Sequence, residues 1–218
     1  MPPLRVAVLA SGEGTTLEGL ATALAADPGA AEIVLVLSNR PDAGVLERAR
    51  RRGLPTRVIP SVADRAAWGD AVTAALEASR AELVVLAGLL AILPPSWVER
   101  WRGRAVNLHP SLLPRYGGRG MYGLRVHAAV LAAGERETGA TVHLVTGTVD
   151  GGPPIAQARL AIVPGESAEA LRDRLRPVEI DLLARTVRRF ADGSLPLPYS
   201  GGTEPAEGAE RDAPARRA

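Results

Sequence analysis

The sequence predicts an α/β fold in which a mostly parallel central sheet is flanked by helices. Short leucine- and valine-rich runs of strand length alternate with Ala-, Arg- and Glu-rich stretches of helical period. Those runs are apolar throughout rather than at every second position, as strands covered on both faces are. The first run leads through a short Gly-rich loop into a helical stretch, the form of a strand-to-helix connection in such folds.

In chain order, a strand over residues 5–9 precedes the loop Ser11-Gly12-Glu13-Gly14 and a helix over 16–25. The next strand, 33–37, ends in Ser38-Asn39-Arg40 and is followed by a helix over 44–52, a strand over 56–59 and a helix over 63–79. A strand over 83–87 opens an apolar run closed by Pro94 and Pro95, and a short helix over 96–102 follows. The strand over 104–108 carries Asn107, and the Gly-rich connection 110–123 leads to a helix over 124–133. Strands over 138–145 and 155–162 come next, joined by a second long connection, 146–154. Connections of this length are commonly functional or disordered. The last helix spans 167–191, and Pro177 should kink or divide it, because proline lacks the amide hydrogen and crowds the preceding turn.

With 218 residues, the chain suits one domain over 1–193 followed by an extension, 194–218. From about residue 200 that extension is rich in Gly, Pro, Ala, Glu and Arg, so burial cannot offset the entropy of ordering it, and disorder is expected.

Composition removes whole chemistries. Cysteine is absent, which excludes disulfide frameworks, thiolate nucleophiles and Cys-ligated metals. No lysine occurs, so all 26 basic residues are arginines, and Schiff-base catalysis and the Walker A lysine are excluded. The pI near 9.6 reflects that all-arginine set, for the formal charge is only +2. Aromatic residues make up 3%, too few for nucleic-acid stacking platforms, and no arginine-rich arm is segregated from the acids. Small-molecule substrates are therefore expected, and no nucleic acid. The longest apolar run, 83–93, is too short to span a bilayer, and the N-terminus reads as a first strand and its loop rather than a signal peptide. The expectation is no membrane association and a cytoplasmic location.

The loop Gly12-Glu13-Gly14-Thr15-Thr16 presents backbone amides and the positive end of a helix, which can hold a phosphate or serve simply as a tight packing turn. It is not a dinucleotide fingerprint. Leu17 stands where the third glycine belongs, and the second strand lacks the ribose-binding acid at its end. A phosphorylated substrate fits better than NAD.

The sharpest local signal is Asn107-Leu108-His109-Pro110-Ser111-Leu112-Leu113-Pro114. It lies at the C-terminal edge of a central strand, where α/β sheets gather their sites. Alternation along the strand points Asn107 and His109 the same way, delivering an amide donor and an imidazole to one place. That combination suits a developing oxyanion in acyl transfer. His127 and His143 read as structural histidines, His143 near enough to orient a loop. Asp150, before Gly151-Gly152, reads as a turn residue in isolation and as a proton-relay acid when an imidazole is beside it. Three scattered histidines do not make a metal site, and none is expected.

Residues 107–114, together with Asp150-Gly151-Gly152 and Ser11-Gly12-Glu13-Gly14, resemble the glycinamide ribonucleotide formyltransferases of purine biosynthesis, over roughly residues 4–193. Ser38-Asn39-Arg40, residues 86–93 and Arg119-Gly120-Met121-Tyr122-Gly123 are also similar to family segments. The resemblance implies a Rossmann-like formyltransferase fold and transfer of a formyl group from 10-formyltetrahydrofolate to a phosphoribosylglycinamide amine. Asn107, His109 and Asp150 become the catalytic set, with Asp150 keeping His109 charged and relaying the amine proton. Gly12, Glu13, Gly14, Thr15 and Thr16 become the phosphate loop, and Glu179 a substrate-contacting acid. Arg65, Leu90, Ala91, Ile92 and Leu93 fall on the folate side, as do Asn107 and the loop Thr146, Gly147, Thr148, Val149 and Asp150.

Three positions depart from the pattern: Thr16 where Asn is frequent, Ala91 where some members have Arg, and Glu13, whose charge repels phosphate unless its carboxylate turns outward. A monomer or a homodimer suits this reading. Two members of the wider group are the nearest alternatives. Methionyl-tRNA formyltransferase usually carries a further basic domain and formyltetrahydrofolate hydrolase an N-terminal regulatory one, so the free-standing purine enzyme is expected. A nucleotide-binding module without catalysis is the alternative of another class, and retention of Asn107, His109 and Asp150 together argues against it.

Overall fold

The structure is a computed structural model that describes residues 2–199. It contains a seven-stranded sheet in the order β3-β2-β1-β4-β5-β6-β7. The strands are β1 (Leu4–Leu9), β2 (Ala31–Ser38), β3 (Thr56–Val58), β4 (Leu83–Leu86), β5 (Ala105–His109), β6 (Glu137–Leu144) and β7 (Pro154–Ala161). The helices are α1 (Thr15–Ala25), α2 (Gly44–Arg51), α3 (Arg65–Ala78), α4 (Pro95–Arg100), α5 (Leu124–Ala132) and α6 (Ala168–Ala191). Neighbours from β3 to β5 pair in parallel, whereas β6 runs antiparallel to β5 and β7 antiparallel to β6. The α/β expectation stands, and the antiparallel end is what the sequence reading left unresolved.

Alternation along the central strands divides the core into two layers. Val6 and Val8 of β1 and Leu83 and Val85 of β4 pack with Leu17, Leu20 and Leu183 beneath α1 and α6. Their neighbours Ala7, Leu9, Val84 and Leu86 pack on the other face with Trp68, Val72, Trp97 and Trp101 of α3 and its surroundings. Both faces are thus covered, which is why the strands read as unbroken apolar runs.

One expectation needs correction, the division of the last helix at Pro177. Pro177 lies inside α6, yet the helix runs undivided from Ala168 to Ala191. Pro177 itself is exposed, and Leu171, Leu175, Leu182 and Leu183 bury one stripe of the helix, so tertiary burial outweighs the lost backbone bond. The packed unit also continues past residue 193. Leu195 is buried, Leu197 and Tyr199 pack against the core, and the Tyr199 amide donates to Gly103 O at 2.7 Å. The disorder expected further along the tail, from residue 200, lies outside the described residues. Among the described residues no helix is long and apolar enough to cross a membrane.

Candidate active site

A cleft of about 700 Å³ opens at the C-terminal ends of β1, β4 and β5. One wall is the β1–α1 loop. Gly14 there adopts φ 78°, and a Cβ on it would stand 2.6 Å from Val45 Cα, so close approach of α2 and the left-handed backbone both demand glycine. Val45 N donates to Gly12 O at 3.0 Å and Arg48 Nε to Glu13 O at 2.8 Å, fixing the loop on α2. No side chain caps α1, so its first-turn amides are left for a ligand. The Glu13 carboxylate turns to the start of α2: a Cβ on Gly44 would lie 2.7 Å from Glu13 Oε2. The positive end of α2 thus accommodates the charge that seemed to conflict with a phosphate loop.

At the far end of β5 the polar groups converge. Asn107 pairs in register with His143 across the antiparallel β5–β6 contact, and Asn107 Nδ2 lies 3.0 Å from His143 Nε2. His143 Nδ1 is 2.9 Å from Leu144 O, a carbonyl that can only accept, so Nδ1 carries the hydrogen and Nε2 accepts from Asn107. The same Asn107 amide donates to Asp150 Oδ1 at 3.2 Å. His109, 4% exposed, places Nε2 2.9 Å from Tyr116 O and Nδ1 3.5 Å from Asp150 Oδ2. Because Tyr116 O also only accepts, the hydrogen of a neutral His109 sits on Nε2, leaving Nδ1 free beside the carboxylate.

Asp150 is held by both long connections. Its φ of 52° is left-handed, and the following chain reaches Gly152, where a Cβ would fall 1.8 Å from Leu144 O. From the other connection, Gly118 N donates to Asp150 Oδ2 at 2.9 Å. Thr141 braces the chain after His109: its hydroxyl donates to Ser111 O at 2.7 Å and accepts from Leu113 N at 3.1 Å.

The charges differ from expectation in one respect. Burial holds the His109 imidazole below its ordinary range, and it outweighs the opposing pull of Asp150 and of the Tyr116 carbonyl. His109 is therefore neutral at pH 7, not kept charged by Asp150. Burial works to raise the Asp150 carboxyl, but the His143 and His109 imidazoles, in their protonated forms, and the Gly118 amide hold it below the usual carboxylate range. A carboxylate beside a neutral imidazole is a pair poised to accept one proton. Burial also pushes the Glu179 carboxyl up to about 7.

Of the residues singled out in the sequence, Gly12, Glu13, Gly14, Thr15, Thr16 and Glu179 line the cleft on the α1–α6 side. Leu90, Ala91, Ile92 and Leu93, and Thr146, Gly147, Thr148, Val149 and Asp150, line the rest with Asn107 and His109. Arg65 is the exception. Its guanidinium is bonded to the Ile92 and Leu93 carbonyls at 3.0–3.2 Å, bracing the cleft wall from behind rather than lining it. Two residues were undervalued: His143, which orients Asn107, and Ser11, whose hydroxyl accepts from Leu90 N at 2.9 Å and donates to Asn39 Oδ1 at 2.6 Å. Among the described residues no group of three or more His, Asp or Glu is arranged to hold a metal ion.

Against known proteins, the family model described as formyl transferase matches residues 4–187. The chain belongs to the formyl transferase family. It is 35% identical over 195 residues to phosphoribosylglycinamide formyltransferase of Haemophilus influenzae, covering 88% of this chain and 90% of that protein. With the trifunctional purine biosynthetic protein adenosine-3 of Drosophila melanogaster it shares 40% identity over 194 residues, yet spans only 14% of that protein's length. Among solved structures of formyl transferase relatives, phosphoribosylglycinamide formyltransferase from Coxiella burnetii superposes with a TM-score of 0.82 at 38% identity, over 88% of this chain and 89% of that one. Formyltetrahydrofolate deformylase from Burkholderia mallei matches with a TM-score of 0.77 at 31% identity, over 90% of this chain and 68% of that one.

Proposed function

We propose that this chain transfers a formyl group from 10-formyltetrahydrofolate to the amine of 5-phosphoribosylglycinamide, in de novo purine synthesis. The observation that carries the reading is the meeting of Asn107, His109 and Asp150 at one end of a cleft whose other end is the uncapped start of α1. Near-full-length similarity to the Haemophilus and Coxiella enzymes supports the choice of substrates.

The cleft fits a folate. Leu86, Leu93, Val98 and Val145 give it apolar walls, and the backbone of 88–93 and 146–149 supplies polar edges of the kind a pterin ring needs. Bound there, 10-formyltetrahydrofolate supplies a formyl carbon whose oxygen gains negative charge as the amine attacks. The chain's own residues manage that charge and the proton the amine gives up. The ionised Asp150 and neutral His109 take the proton, directly or through water, and His109 becomes cationic as the oxyanion forms. Asn107 contributes an amide hydrogen, the longer bond to Asp150 being the one it exchanges for the oxyanion. Gly12, Glu13, Gly14, Thr15 and Thr16 hold the phosphate through main-chain amides and hydroxyls, and Glu179 faces the sugar. Collapse of the tetrahedral intermediate breaks the bond from the formyl carbon to N10, and the cationic His109 returns its proton to the departing N10, giving tetrahydrofolate and the formylated amine with no covalent enzyme intermediate.

A second reading is hydrolysis of the same folate, favoured by the likeness to the Burkholderia deformylase. One assay separates the two: formyl transfer and formate release measured with and without glycinamide ribonucleotide. Transfer that depends on the ribonucleotide supports the proposal, and formate release that ignores it would replace transfer with hydrolysis.

A further inference from the structure

The cleft is short of positive charge. Glu13, Asp150 and Glu179 line it, and among the described residues the one arginine that does is Arg119. With no lysine in the chain, no other side chain among the described residues that line the cleft carries a fixed cation. The β1–α1 loop offers neutral donors and a carboxylate turned aside, so a dianionic phosphate would find amides but no counter-charge in it. Arg119 also differs from most arginines here. Arg48, Arg52, Arg65 and Arg174 are all engaged in hydrogen bonds, whereas Arg119 is exposed and has no hydrogen-bond or ion-pair partner among the described residues.

Its backbone setting is equally specific. Gly118 and Gly120, at φ 96° and 86°, flank it with open space around both, and Gly118 N is tied to Asp150, so Arg119 leaves the chain directly beside the reaction centre. The connection bearing it runs into α5, which packs on α6, as α1 does, and Glu179 of α6 lines the cleft between. The connection therefore approaches the cleft from the side of α6, on which α1 also packs.

We propose that Arg119 is a specificity residue whose guanidinium engages the anionic phosphate oxygens of the phosphoribosyl substrate. This rests on the formyl-transfer reading and deepens it. A guanidinium presents paired donors in a plane that matches two phosphate oxygens, which an ammonium does not reproduce. Arginine at the end of a glycine-flanked connection can also swing to the anion without moving Asp150.

The test is Arg119→Met, with Arg119→Lys beside it, in steady-state formyl transfer and in calorimetric binding of ribose 5-phosphate. Because Arg119 is exposed, neither variant should alter the melting temperature. The expected result for Arg119→Met is a KM for glycinamide ribonucleotide raised roughly 10- to 100-fold, kcat within about threefold, an unchanged folate KM and partial rescue by lysine. The penalty should vanish with dephosphorylated glycinamide riboside. An unchanged ribonucleotide KM, a penalty equal for the riboside, or a rise in folate KM instead would overturn the assignment. If wild type transfers no formyl group yet binds ribose 5-phosphate through Arg119, the reaction assignment falls while the anion site stands.

Discussion

The Leu90 amide donates to the Ser11 hydroxyl at 2.9 Å, and the same hydroxyl donates to Asn39 Oδ1 at 2.6 Å. Ser11 opens the β1–α1 loop and Leu90 belongs to the segment 88–93, so one buried hydroxyl ties together two stretches that both line the cleft. Ser11→Ala removes both of these partly buried hydrogen bonds and should cost about 1 kcal/mol in stability. Both KM values should rise together while kcat changes little. Steady-state kinetics in each substrate checks this, and a rise confined to one of them counts against a coupling role.

His143 acts on Asn107. Accepting one amide hydrogen, it fixes which way the carboxamide faces. His143→Ala should lower kcat roughly 10- to 100-fold with little change in either KM, whereas His143→Gln, which can still accept, should recover part of the loss. Equal losses in the two variants would reduce His143 to a packing residue.

Stability should depend on pH through two groups that desolvation shifts in opposite directions, the half-buried Glu179 and the buried His127. Glu179 is pushed up to about 7 by burial, so the folded state keeps a proton that the unfolded chain releases near pH 4.5, and its stabilisation is lost as pH rises through about 7. His127 is pushed down to about 4 by burial and by the nearby Arg172 charge. Unfolding lets it protonate below about 6.5, so its stabilisation is lost as pH falls toward 4. Between pH 4.5 and 6.5 the two slopes oppose each other. Glu179→Gln should therefore steepen the rise of the urea midpoint with pH in that window and exceed wild type by roughly 1–3 kcal/mol above pH 7. Parallel curves for the two proteins would contradict the burial of that carboxyl.

Much of this was legible in the sequence for identifiable reasons. Strands buried on both faces read as apolar runs, so their places were visible, and the spacing of Asn107 and His109 followed from the alternation of a strand. The pairing of Asn107 with His143 was not visible, because it depends on β6 running antiparallel to β5, a matter of topology that periodicity does not encode. Arg65 shows the same limit at the level of a side chain. Its position in the chain put it near the folate wall, but only the fold shows that its guanidinium turns to the Ile92 and Leu93 carbonyls. The charge of His109 was misjudged because the carboxylate nearby is apparent in the motif, while the depth of burial opposing it emerges only after packing. Pro177 was read by its local effect alone, and the apolar stripe of α6 prevails over it.

The central claim is that His109 and Asp150 work as one proton-accepting unit against an oxyanion, and a double-mutant cycle addresses it most directly. Formyl transfer to glycinamide ribonucleotide would be measured for His109→Ala, Asp150→Ala and the double variant, with circular dichroism confirming that each is folded. The account predicts losses of about 10²- to 10⁴-fold in kcat for each single variant, and a double variant no worse than the poorer single by more than about threefold. Near-native turnover in either single variant, or losses that multiply in the double, would contradict it.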